Sequence, residues 1–91
     1  MYSMTTQITN QLGLHARPAS DLTLKAKEFS SNISLSHLDA GESNPVDVKS
    51  IIQILAGRFY QGSQVEITAE GDDERQAVEA LVELVEGGFG E

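Results

Sequence analysis

The stretch LGLHARPAS, residues 12–20, decides how the chain is read, because it sets a turn, a histidine and a helix start side by side. Gly13 allows backbone angles that a side chain would forbid, so residues 10–13 break whatever element precedes them. After the histidine, Ala19, Leu22, Ala26 and Phe29 recur at three- and four-residue spacing, while Asp21, Lys25 and Glu28 fall on other faces. That pattern predicts a helix over 16–28. Pro18 suits its first turn, where a missing N–H costs no helical hydrogen bond. His15 therefore stands at a helix entrance.

Upstream of the motif, residues 5–9 form a short strand candidate. Downstream, residues 32–38 alternate polar and apolar side chains, the period of a half-buried strand. Residues 39–45, DAGESNP, are dense in turn formers and predict a mobile loop, with a short third strand beside it at 46–48. Ile51, Ile52, Leu55 and Phe59 predict a second helix over 48–56, capped by Asp47 and stopped by Gly57. Residues 64–70 alternate again and predict the last strand. A final helix opens on Gly71-Asp72-Asp73-Glu74, with acids where the helix dipole favours them, and closes at Gly87-Gly88. Its apolar stripe is Ala77, Leu81, Leu84 and Val85, widened by Val78 and Val82. The order β-α-β-(β)-α-β-α with short connections implies an open, mainly antiparallel α+β sandwich whose helices cover one sheet face.

The 91 residues suit one domain over the whole chain, 1–91, and 40% hydrophobic with 22% charged residues is ordinary globular usage. With no cysteine, a disulfide framework, a thiol nucleophile and a thiolate-bound metal are excluded. The start MYSMTTQIT has neither a basic end nor an apolar run, and no stretch approaches the roughly 20 apolar residues that span a bilayer. A soluble, cytoplasmic protein is expected. The net charge of -8 lies entirely in residues 66–91, where nine carboxylates face one cation, Arg75; residues 1–65 balance five of each sign. Such acidity argues against nucleic-acid partners and against anionic membranes.

A helix entrance offers unpaired N–H groups and a partial positive charge, which favour an anion, phosphate above all. An imidazole there can attack phosphorus, and a guanidinium nearby can grip phosphate oxygens as a bidentate fork. Imidazole ordinarily titrates near about 6.5, so its neutral, attacking form is present at physiological pH. His15 and Arg17 supply the two parts. From the spacing alone, a packed or capping histidine is the more common reading. It does disfavour a metal, since the other histidine, His37, lies on a predicted strand with no ligand spacing between them. No cofactor is expected.

Residues 13–19, Gly-Leu-His-Ala-Arg-Pro-Ala, resemble the active-site motif of the histidine-containing phosphocarrier proteins of the bacterial phosphoenolpyruvate-dependent phosphotransferase system. Lys49-Ser50-Ile51-Ile52, then Gly62-Ser63-Gln64-Val65-Glu66-Ile67 and Gly71-Asp72-Asp73-Glu74, resemble the family at the expected distances, so the likeness covers nearly the whole chain. It implies an open-faced β-sandwich, four antiparallel strands with three helices on one face. It also implies that His15 accepts phosphate at Nδ1 from phosphorylated enzyme I and passes it to an enzyme II A domain. Arg17 would then steady the phosphate, with the backbone N–H groups of Ala16 and Arg17 completing the cradle. On this resemblance the protein is a phosphoryl-group carrier rather than a turnover enzyme.

By the same likeness, Ser50 matches a regulatory serine phosphorylated by a dedicated kinase, and a phosphate there would gain from the dipole of the predicted helix. Ile51, Gln53, Ile54 and Leu55 match the partner-docking helix, with Gln53 the one expected to face solvent. Against the family pattern, the 39–45 loop is a few residues longer than is usual, and basic residues near the site are few, which implies weak electrostatic steering. Residues 8–13 and 87–91 look more like the nitrogen-related branch, NPr, than the sugar-transport branch. Two other functions stay in view: a regulatory binding module acting through a Ser50 phosphate, and a small ligand-binding domain of similar fold.

Overall fold

Four strands and three helices make up the computed structural model, which describes residues 1–38 and 44–90. They are β1 (Tyr2–Gln7), α1 (Ala16–Ala26), β2 (Asn32–His37), β3 (Val46–Asp47), α2 (Ile51–Ala56), β4 (Gln64–Glu70) and α3 (Glu74–Glu86). The loop expected over 39–45 lies outside the described residues at 39–43.

The sheet order is β1-β4-β2-β3, every pair antiparallel. β4 is central: Tyr2 to Gln7 pair with Ala69 to Gln64 on one side, and Asn32 to His37 with Glu70 to Val65 on the other. Alternation puts Val65, Ile67 and Ala69 of β4 with Ile33 and Leu35 of β2 on the covered face, all buried. The opposite face carries Ser3, Thr5, Ser34, Ser36, Glu66 and Thr68, with Ser3 and Thr68 hydroxyls 2.9 Å apart. A face so polar has no apolar area to hide, and the helices pack on the other side only. The open-faced α+β sandwich is the observed fold.

α3 packs on β1 and β4 through Ala77, Val78, Leu81, Val82 and Val85, all buried. Leu84 is partly buried against this core. α1 buries Ala19, Leu22 and Ala26 as its periodicity implies, and also Thr23, whose hydroxyl donates to the Val48 carbonyl at 2.8 Å.

Several boundaries move for physical reasons. β1 begins at Tyr2 and ends at Gln7, not over 5–9, because the register with β4 closes at Gln7–Gln64; Ile8 then turns into the core, tied by Ile8 N–H to Ser63 O at 2.9 Å. α1 ends at Ala26, where Glu28 and Phe29 tighten onto the carbonyls of Lys25 and Ala26. α2 starts three residues later than expected, and its cap is Ser50, not Asp47. The Ser50 hydroxyl accepts Gln53 N–H at 3.3 Å, while the Asp47 carboxylate accepts Lys49 N–H at 2.9 Å. Val48 is a buried turn residue outside the helix, and Phe59 reaches the core from beyond it.

Candidate functional site

Residues 10–13 form a turn, with Gly13 N–H on Asn10 O at 3.0 Å and the buried Asn10 side chain donating Nδ2 to Gly13 O at 2.6 Å. Gly13 has φ +65°, and a Cβ there would fall 2.5 Å from Phe59 O and 2.7 Å from Tyr60 Cα. Only glycine lets the two backbone segments meet this closely. The next residue, Leu14, is buried and donates its N–H to the same Phe59 carbonyl at 2.8 Å. The chain enters the histidine position braced on both sides.

His15 is the N-cap residue of α1, with extended backbone at φ -78°, ψ -170°, and its side chain does not cap the helix. It is half-buried at the edge of a cleft of about 530 Å3 lined with Thr9, Asn10, Gln11, Leu12 and Gln61. The first helical hydrogen bond is Ala19 N–H to His15 O, 2.9 Å, and Pro18 has no N–H. The amides of Ala16 and Arg17 are therefore the ones the helix leaves for an outside acceptor. Arg17, two residues beyond His15, is exposed, and among the described residues no carboxylate pairs with it. A half-buried imidazole, the opening amides of a helix and an exposed arginine thus belong to one helix end, a set of groups whose chemistry suits a phosphoryl group.

His15, Ala16 and Arg17 stand in succession at the start of α1, and Ser50 stands at the start of the neighbouring α2, which packs against α1. The docking set needs one correction. Ile54 is fully buried, because α2 turns that position toward the core, so its side chain is out of any partner's reach. Ile51, Gln53 and Leu55 are exposed; so is Ile52, at 79% the most open of the large apolar residues of the helix and absent from the expected set. The Gln53 side chain is partly committed, accepting Asp47 N–H at 2.9 Å. Leu12 and Tyr60, both well exposed and flanking the Gly13 contact, extend the apolar surface beside the histidine. Asn10 and Phe59, which brace the histidine loop, were missed as well. Asn10 had a local signal in the Asn-x-x-Gly turn; Phe59 had none, since its contact spans about half of the chain. Among the described residues no cluster of histidine and carboxylate ligands forms, and no helix is long and apolar enough to cross a membrane.

Residues 2–87 match the family model PTS-HPr, described as the PTS HPr component phosphorylation site. The chain is 40% identical over 85 residues to the phosphocarrier protein HPr of Haemophilus influenzae, covering 93% of this chain and 95% of that one. It is also 40% identical over 90 residues to a multiphosphoryl transfer protein of Vibrio cholerae, covering 99% of this chain but only 22% of that longer protein. In structure it is similar to HPr-C-His from Thermoanaerobacter tengcongensis, at a TM-score of 0.91 and 43% identity over 100% of this chain and 98% of that one.

Proposed function

Because the chain belongs to the PTS-HPr family of histidine-containing phosphocarriers, we propose that it carries phosphoryl groups within the phosphotransferase system, with His15 as the acceptor. The imidazole nitrogen of His15 attacks the phosphorus held by phosphorylated enzyme I. A new N–P bond forms as the donor's bond breaks, and the donor keeps the electron pair of that bond. The Ala16 and Arg17 amides and the Arg17 guanidinium hold the phosphoryl oxygens, and their positive ends stabilise charge there in transit. An enzyme II A domain then takes the group by the same displacement in reverse. The observation that carries this reading is the place of the half-buried His15 as N-cap of α1, with Ala16 and the exposed Arg17 opening the helix beside it.

Both partners would dock on the exposed apolar residues of the α1–α2 side: Leu12, Ile51, Ile52, Leu55 and Tyr60. The chain acts as one domain, in the cytoplasm where a phosphoenolpyruvate relay works. Ser50 offers a second site of control. Its hydroxyl caps α2 beside the exposed Ile51 and Ile52, so a phosphate placed there by a serine kinase sets a double charge within the docking surface. The regulatory-module reading, in which Ser50 phosphate alone signals, leaves the cradle at His15 without use.

The test is incubation with enzyme I and labelled phosphoenolpyruvate. The expected product is an acid-labile, base-stable phosphate that His15→Ala abolishes. Absence of label with a competent enzyme I, or label that survives in His15→Ala, would sink the proposal.

A further inference from the structure

The residues between α2 and β4 include a stretch with neither helix nor strand, and Arg58 within it holds φ +55°, costly for a side chain larger than glycine. Yet this stretch is the wall on which the histidine loop leans, since Phe59 O receives Leu14 N–H and the Phe59–Tyr60 backbone abuts Gly13. Irregular backbone holds a fixed course only where other groups hold it. Its far end is tied by Gly62 N–H to Ile8 O at 2.8 Å, and at its near end the holding group is His37. Its ring lies over the buried Phe59 ring, centroids 4.2 Å apart and planes 11° from parallel. Its Nε2 is 2.7 Å from the carbonyl of Gly57, the residue that ends α2. A carbonyl can only accept, so Nε2 carries the proton. Gly57 belongs to the same device, because a Cβ there would run into the Phe59 ring.

His37 itself is anchored. It closes β2, paired with Val65 of the central strand, and its neighbour Leu38 donates N–H to Gln64 O at 2.8 Å. The ring thus transmits a fixed point of the sheet to the irregular wall, and the wall to the loop. An aliphatic residue at this position could pack on Phe59 but would leave the Gly57 carbonyl, at a helix end short of donors, without this bond. A glutamine could supply the donor but not the stack. Histidine supplies both.

We propose that His37 is a positioning residue for His15, acting through Gly57 and Phe59 to hold Leu14 and hence the direction in which the His15 ring is presented. It never touches the phosphoryl group. The inference rests on His15 being the acceptor, but the clamp can be measured without phosphorylation.

The experiment compares the wild type with His37→Gln and His37→Asn. The glutamine amide reaches about as far as Nε2, whereas the asparagine amide stops near Nδ1. Three quantities are read: the NMR scalar coupling across the Leu14 N–H to Phe59 O bond, the hydrogen exchange of Leu14 against that of Ile67 in central β4, and the rate of phosphoryl transfer from enzyme I. In His37→Asn, Leu14 exchange should rise about 3- to 10-fold beyond any change at Ile67, with the coupling weakened and transfer slowed by a similar factor. His37→Gln, which restores the bond to the Gly57 carbonyl but not the stack on Phe59, should recover part of each. Equal acceleration at Leu14 and Ile67, an unchanged Leu14 in His37→Asn, or equal impairment in both variants would overturn the proposal. A wild type that takes no phosphate would defeat the carrier reading, while the coupling and exchange still decide the clamp.

Discussion

At the scale of single residues, Gly13 shows how a turn signal conceals a tertiary constraint. Its turn was legible from sequence, because Asn-x-x-Gly is a local pattern; its contact with Phe59 O and Tyr60 Cα was not, because nothing near position 13 encodes a meeting with position 59. We predict that Gly13→Ala destabilises the protein by about 1–3 kcal/mol, combining the strain of a side chain at φ +65° with the displaced wall. Urea unfolding measures it, and a change below about 0.5 kcal/mol would show that the two segments part freely. Arg17 predicts the opposite separation of effects. It is exposed and, among the described residues, has no carboxylate partner, so Arg17→Lys should leave the unfolding midpoint unchanged. Lysine keeps the charge but not the fork, and losing one charge-assisted hydrogen bond of about 1.5 kcal/mol slows transfer about tenfold. Rapid-quench measurement of phosphoryl uptake would reject the cradle role if lysine serves as well as arginine.

At the scale of elements, α2 separates what periodicity can reveal from what it cannot. The strands β2 and β4 and the helix α3 were legible nearly to the residue, since alternation and the i, i+4 stripe each name a buried face. α2 is a single short run of apolar residues, Ile51-Ile52-x-Ile54-Leu55, in which every phase looks amphipathic until α1 and β3 settle the matter by packing against it. Val48 and Phe59 lengthened the apparent stripe although both enter the core from outside the helix. The consequence is testable by a contrast within one element. Ile54→Ala should cost about 2–4 kcal/mol of stability, the usual result of emptying a sealed aliphatic site. Ile52→Ala should change stability by less than about 0.5 kcal/mol yet weaken binding to enzyme I. Thermal unfolding together with titration calorimetry distinguishes the two. Equal stability loss in both variants would refute the assigned helix phase, and undiminished binding by Ile52→Ala would remove α2 from the docking surface.

At the scale of the whole molecule, the acidic final quarter is more than a solvated surface. Asp73 was read as a helix-start acid, yet its carboxylate makes no cap bond to α3. It reaches instead to the connection between α1 and β2, accepting Ser30 N–H at 2.9 Å, Ser31 N–H at 3.0 Å and the Ser31 hydroxyl. Gly71 closes the same junction, since a Cβ there would fall 2.7 Å from Ser31 Cα. One carboxylate thereby joins the turn before β2 to the turn after β4. The Ser31 hydroxyl foremost, then the Ser30 amide, hold its pKa below the ordinary 3.8. A group whose pKa is depressed on folding stabilises the fold fully above its unfolded value and loses that contribution as pH falls through its folded value. Lowering the pH also relieves repulsion among the other carboxylates, an opposing effect spread over the surface. The difference between wild type and Asp73→Asn isolates the junction, because that background is nearly common to both. The wild type should be the more stable at pH 6–7, with the gap constant down to about pH 4 and closing below it. Denaturant midpoints measured across this range provide the check. A gap that persists undiminished to pH 2, or one already closing at pH 6, would mean that the two turns are joined by packing and not by the ionised carboxylate.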